Sequence, residues 1–141
     1  MVINITYPSR KTEAEIAKIA GPAYSFIERI RLKGNGSRKM VLVDCSESIK
    51  QLLHDFKDTK YCNIEIRKQG LVVGFQSTMR IYAWVIPYYQ LTLFHDGENL
   101  TVYSLQDHIK MKAAFNGSIE KKFLLKIMSL KAQFLQSQDF R

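Results

Sequence analysis

Between residues 62 and 112 the chain alternates short apolar runs with turn residues: Cys62–Ile66, Leu71–Phe75, Arg80–Ile86, Tyr88–Phe94, Leu100–Tyr103 and His108–Lys112. Runs of this kind, bounded by Gly, Asp and Asn, read as strands joined by tight connections. Gln69-Gly70 marks one hairpin turn and Asp96-Gly97 another. Both central residues of a type I′ turn need positive φ, which Asp-Gly supplies cheaply; the pairing then places His95 opposite Glu98. Pro87 cannot donate to a ladder, so it predicts an edge, bulge or bend between Ile86 and Tyr88. The strand before it is apolar on both faces, with Tyr82, Trp84 and Ile86 on one and Ile81, Ala83 and Val85 on the other. Such a strand is expected to be central and covered on both sides.

The period changes towards both ends. Val2, Ile3 and Ile5 suggest a short opening strand stopped by Pro8. Thr12 with Glu15 has capping-box spacing, and Ile16, Ile19 and Ala20 continue as a helical stripe. Gly21-Pro22 breaks that helix, and Pro22 fits the first position of a second one. Phe26, Ile27 and Ile30 are its expected buried face, and Lys33–Ser37 its terminating turn. Met40–Val43 reads as a buried strand. Asp44–Ser48 offers helix caps before Ile49, Leu52, Leu53 and Phe56, an amphipathic set running to about Lys57. Gly117-Ser118 opens a terminal helix with Ile119, Phe123, Ile127, Leu130 and Phe134 inward and Lys122, Lys126, Ser129 and Gln133 outward.

The expectation is an α+β fold: N-terminal helices, an antiparallel sheet or partly closed barrel of five to seven strands, and a C-terminal amphipathic helix. A chain of 141 residues fits one domain over 1–141, with a helical front part (1–60) and a sheet-plus-helix part (61–141). No apolar run approaches the ~20 residues of a membrane-spanning helix, and the N-terminus lacks a signal-peptide pattern. A cytoplasmic protein is the expectation. Cys45 and Cys62, far from any C-x-x-C or zinc spacing, fit two buried thiols in a reducing compartment.

Charge sharpens the picture when divided along the chain. Residues 1–40 hold eight Lys/Arg against three acids, residues 41–109 six against eight, and residues 110–141 seven against two. Basic ends therefore flank a slightly acidic middle, and the net +8 favours polyanionic partners. Arg29, Arg31, Lys33, Arg38 and Lys39 fall within 11 residues containing no acid. The alternative is that these cations are solvated helix faces.

Ile64-Glu65-Ile66, Gly70–Gly74 and Trp84-Val85-Ile86-Pro87-Tyr88-Tyr89-Gln90-Leu91, followed by one amphipathic helix, resemble bacterial pleckstrin-homology-like domains over residues 62–136. The resemblance implies a PH-like barrel end-plugged by the helix, and a non-catalytic scaffold binding lipids, peptides or its own copies. Arg67 and Lys68 fall where phosphoinositide-binding members keep basic residues. The front 60 residues depart from that family. Within them, Glu15–Gly21 with Ala17, Ile27 and Ile30 is similar to a helix-turn-helix motif across residues 13–32. That resemblance would present Tyr24, Ser25, Glu28, Arg29 and Arg31 to a major groove. The competing reading is a helical hairpin packed on the sheet.

Each histidine adjoins an aspartate (His54-Asp55, His95-Asp96, Asp107-His108), but neighbours in a helix or strand diverge, so no general base is assigned. With no metal spacing, nucleophile elbow or phosphate loop, no catalytic residue, metal or cofactor is assigned either. The leading expectation is a non-catalytic binding or interaction module, with a protein partner or a second copy. One alternative is a nucleic-acid binder using the five N-terminal cations with Lys121, Lys122 and Lys126. Another is docking on an anionic membrane surface through the same charges. Tyr82, Trp84 and Tyr88 form a candidate interface or base-stacking face if exposed, and simple packing if buried.

Overall fold

The computed structural model describes residues 1–53, 58–114 and 121–138. Its elements are β1 (Val2–Asn4), α1 (Arg10–Ala20), α2 (Phe26–Leu32), β2 (Met40–Cys45) and α3 (Glu47–Leu53). Then come β3 (Tyr61–Ile66), β4 (Gly70–Gln76), β5 (Ile81–Pro87), a 3-10 turn at Tyr88–Gln90, β6 (Thr92–Asp96), β7 (Asn99–Ser104), β8 (Asp107–Ala113) and α4 (Lys121–Ser137). The fold is α+β, as the pattern suggested. All eight strands join one antiparallel sheet in the order β1-β5-β4-β3-β2-β8-β7-β6, and β1 and β6 are its open ends. Eight strands exceed the five to seven expected. The two strands expected in the front 60 residues are present: β1 lies beside β5 and β2 between β3 and β8, in the same sheet as the rest.

The sheet is covered on both faces near β5. Tyr82, Trp84 and Ile86 enter the main core with Ile64, Ile66, Leu71, Val73, Phe75, Leu100, Val102, Ile109 and Met111. Ile49 and Leu53 of α3 and Phe123 and Ile127 of α4 close that side, with Leu130 and Phe134 packed against it. On the opposite face Ala83 and Val85 meet Ile3, Val72 and, from α1, Ile16 and Ala20. Period-2 alternation delivers one β5 face to each layer, which accounts for a strand apolar on both sides. At Tyr88 the chain turns out of β5, as Pro87 implied.

Local start and stop signals act a few residues from their expected places. The cap of α1 is Ser9, whose hydroxyl accepts the Thr12 N–H while the Thr12 hydroxyl accepts the Ser9 N–H. Thr12 is therefore the third helical residue and not the cap. Ser25 and Glu28 form the corresponding box at α2, leaving Pro22 outside the helix. The β6–β7 loop is Gly97-Glu98, flanked by paired Asp96 and Asn99, and His95 faces Leu100. Positive φ falls on Gly97 alone (54°), as a type II′ turn requires. The expected helix residues His54 to Lys57, and Gly117, Ser118 and Ile119, lie outside the described residues.

Gly70 opens β4 opposite Pro87. A Cβ there would sit 2.1 Å from the Ile86 carbonyl oxygen and 2.9 Å from the Pro87 Cα, both main-chain atoms. Gly70→Ala is expected to lower stability by about 3 kcal/mol through this overlap, read as a drop in the urea midpoint. An unchanged midpoint would refute the close approach of β4 and β5.

Candidate docking surface

Arg67 is not a surface cation. Its side chain is 5% exposed and passes beneath α1, where Nη1 and Nη2 donate to the two Glu13 carboxylate oxygens at 2.7 and 3.2 Å. Nη1 also donates to the Gly21 carbonyl at 3.3 Å, and Nη2 reaches Glu65 at 3.4 Å. Burial opposes the charge, but the two carboxylates outweigh it and raise the guanidinium pKa. The Tyr88 hydroxyl donates to the Arg67 carbonyl at 2.7 Å. Only its Nε is left without a partner among the described residues, and that atom is buried; with both terminal nitrogens engaged, Arg67 is not presented to a phosphate at the surface, which corrects its assignment to a headgroup site. Tyr82, Trp84 and Tyr88 are likewise buried. They pack the main core beneath α3 and α4 and present no stacking face or interface.

Lys68, beside Arg67, is engaged at the surface. Its ammonium pairs with Glu28 at 2.9 Å and lies 5.9 Å from the Tyr24 ring centroid. This contact sets the orientation of α2. Successive helical residues turn by about 100°, so Glu28 and Leu32 share the side that meets the protein, with Leu32 packed against the main core. Phe26, Ile27 and Ile30 then point away and are 70%, 62% and 62% exposed. The expectation that they form the buried face is overturned: α2 meets the protein through Glu28 and Leu32, and its apolar arc faces outward. The helix-turn-helix reading loses its support with them, since it needs Ile27 and Ile30 in the interface between the two helices.

Arg29 and Arg31 lie on either flank of the arc and are exposed. Phe26, Arg29, Ile30, Lys33, Gly34 and Asn35 line an open depression of about 460 Å³. Lys33 ends α2 in the left-handed region (φ 62°) and Gly34 follows at φ 96°. That turn directs both carbonyls at α4, where the Lys126 ammonium donates to Gly34 at 2.9 Å and Lys33 at 3.3 Å. Lys122 lies one turn earlier on the same side of α4. Cations from the two ends of the chain are thereby brought together. Lys121 and Lys122 are exposed. Arg38 is also exposed, whereas Lys39 is drawn 4.0 Å over the Tyr61 ring. It borders a second groove with Ser37, Asn63 and Gln76. The outer side of α4 adds an unforeseen apolar row, Leu125, Met128 and Leu135, all exposed.

His54 lies outside the described residues, His95 is exposed near the β6–β7 turn, and His108 stacks on Tyr103 with ring centroids 5.8 Å apart. Asp107 accepts from Ser46 Oγ at 2.9 Å and from Ser48 Oγ, fastening the start of α3 to β8. Among the described residues no group of His, Cys, Asp and Glu is placed to hold a metal ion, and no helix is long and apolar enough to cross a membrane. Burial pushes the thiols of Cys45 and Cys62 up to about 11 and about 12, and both are free. Scans of family models, curated proteins and solved structures return no match to the chain.

The outward arc was legible in principle: Phe26, Ile27 and Ile30 are bracketed by Arg29 and Arg31, whereas a helix buried on that side would set its cations opposite. What could not be read was Lys68, forty residues on, holding Glu28.

Two expectations test this geometry. Arg67→Met keeps the bulk of the side chain but strands Glu13 and Glu65 together. Both are partly solvated, so a loss of about 1–3 kcal/mol in urea unfolding is expected; a midpoint equal to the parent's would deny the bridge its role. Glu28 is held down to about 2 by the Ser25 N–H and then by Lys68. Since its folded pKa lies below the unfolded one, its contribution is complete above the ordinary carboxyl range and is lost as pH falls towards 2. The Ser25 amide resonance should titrate in that acid window and be flat in Glu28→Gln; a midpoint at the ordinary carboxyl value would contradict the cap.

Proposed function

We propose that the protein is a non-catalytic binding module on a PH-like scaffold, docking its partner through the outer face of α2 and the adjoining turn of α4. The observation that carries this reading is the exposed Phe26–Ile27–Ile30 arc among Arg29, Arg31 and Lys33. Burying a side chain of this size is worth about 1.5–3 kcal/mol, and α2 forgoes that gain three times over. Contiguous apolar surface rimmed by charge is the usual mark of a docking site. The scaffold part is supported by the hairpin-linked strands β3–β5 and β6–β8, the bend at Pro87-Tyr88, and the single terminal helix on the core side.

Nucleic-acid binding is the weaker reading. Phosphates would engage Arg29, Arg31 and Lys33 but leave the apolar arc unsatisfied, and Lys39 is already drawn to Tyr61. A benzophenone amino acid replacing Phe26 in cells is expected to give a photo-adduct on irradiation. The same group at Tyr7, 89% exposed and outside the proposed surface, should not. Equal labelling at both positions, or none at 26, would refute the docking surface.

A further inference from the structure

We infer that the partner of the α2 face is the surface of an anionic lipid bilayer, an inference that rests on the docking reading above. The face carries two chemistries in a fixed order. Phe26, Ile30 and Ile27 span an arc of about 100°, with Arg29 beyond one edge and Arg31 beyond the other. The acid of this helix, Glu28, lies on the side away from the arc, half-exposed and paired with Lys68. The outward side therefore combines an apolar centre with positive flanks and no carboxylate of its own.

Charge complementarity separates the occupants. A second copy seated on this face would set its arginines against their equivalents, at a repulsive cost. A nucleic acid would match the cations and leave three large apolar side chains in water or against phosphate. An anionic bilayer satisfies both parts at once: the apolar side chains enter the headgroup–acyl boundary, and the long arginines reach back to the phosphates. Lys33, Lys122 and Lys126 extend the positive field beyond α2, and the chain as a whole carries +8. With seven residues, α2 is only about 10 Å long, so its apolar contacts alone give weak attachment. Anionic lipid supplies the second signal, and binding should require it.

The test is flotation of the full chain with phosphatidylcholine vesicles, with and without phosphatidylglycerol, alongside Phe26→Trp as a fluorescence reporter. The native Trp84, 2% exposed, provides a constant background. Retention on the anionic vesicles alone is expected, with a blue shift of the Phe26→Trp emission. Phe26→Ser combined with Ile30→Ser should weaken partition roughly tenfold or more, and so should Arg29→Glu combined with Arg31→Glu. All four side chains are exposed, so an unchanged circular dichroism spectrum should accompany the loss. No retention, or retention without a reporter shift, overturns the inference. A blue shift that grows with protein concentration without lipid assigns the face to a second copy and also overturns it. In that case a photo-adduct at position 26 still stands for the docking surface, whereas absence of any adduct removes both readings.

Discussion

The buried guanidinium of Arg67 is the joint on which the arrangement of the front of the chain depends. It leaves the β3–β4 turn, passes under α1 and holds Glu13 with both terminal nitrogens while also reaching the Gly21 carbonyl. The same turn is gripped from other directions. The Gln69 N–H donates to the Ala20 carbonyl at 2.9 Å, the Tyr88 N–H to the Gln69 carbonyl at 3.0 Å, and the Tyr88 hydroxyl to the Arg67 carbonyl. A charge placed in low dielectric must be paired and hydrogen-bonded or it becomes a large penalty. Pairing the two terminal nitrogens of Arg67 therefore places the C-terminus of α1 over the turn, and the chain leaves α1 at a fixed point.

From that point Lys68 completes the placement. It extends from the same turn to Glu28, so a single hairpin holds α1 through Arg67 and α2 through Lys68. Meanwhile α1 spends its own apolar stripe on the back of β4 and β5. No residue of α2 joins that layer, and α2 contributes Leu32 to the main core. The outward arc thus follows from how the adjacent layers fill. It is the face left over after the salt bridge and the core have been satisfied.

Electrostatics at that face work by exclusion as well as attraction. Glu28 is consumed by its cap and by Lys68, and the left-handed turn at Lys33-Gly34 recruits Lys126 from the far end of the chain. The acid is kept off the outward arc and paired, and base is added beside it. The same logic removes other candidates: Arg67 is committed inward, Lys39 to Tyr61, and Asp107 to the hydroxyls that start α3. These residues resemble functional groups in sequence because charge is visible there, whereas their partners are distant.

Much of the fold was legible because it is local. Short apolar runs marked β3, β4, β5, β7 and β8, the doubly apolar pattern of Arg80–Ile86 implied a strand covered on both sides, and Pro87 announced the bend; the run Tyr88–Phe94 was misread in its first half, where Tyr88–Gln90 is a 3-10 turn and β6 starts only at Thr92. Cap positions slipped where a weaker signal won: Ser9 with Thr12 displaced Thr12 with Glu15, since a hydroxyl at the third helical position serves as well as a carboxylate. The docking surface was legible only in its ingredients. Sequence by itself determined the α+β class, the rough places of most strands and helices and the presence of cations at both ends, because these follow from side-chain period and composition. Only the tertiary structure decided that Arg67 is buried, that Trp84 is core, and that Phe26, Ile27 and Ile30 face outward. Each of those outcomes depends on a contact between residues far apart in the chain, and an apolar helix face carries no mark of whether another surface will cover it.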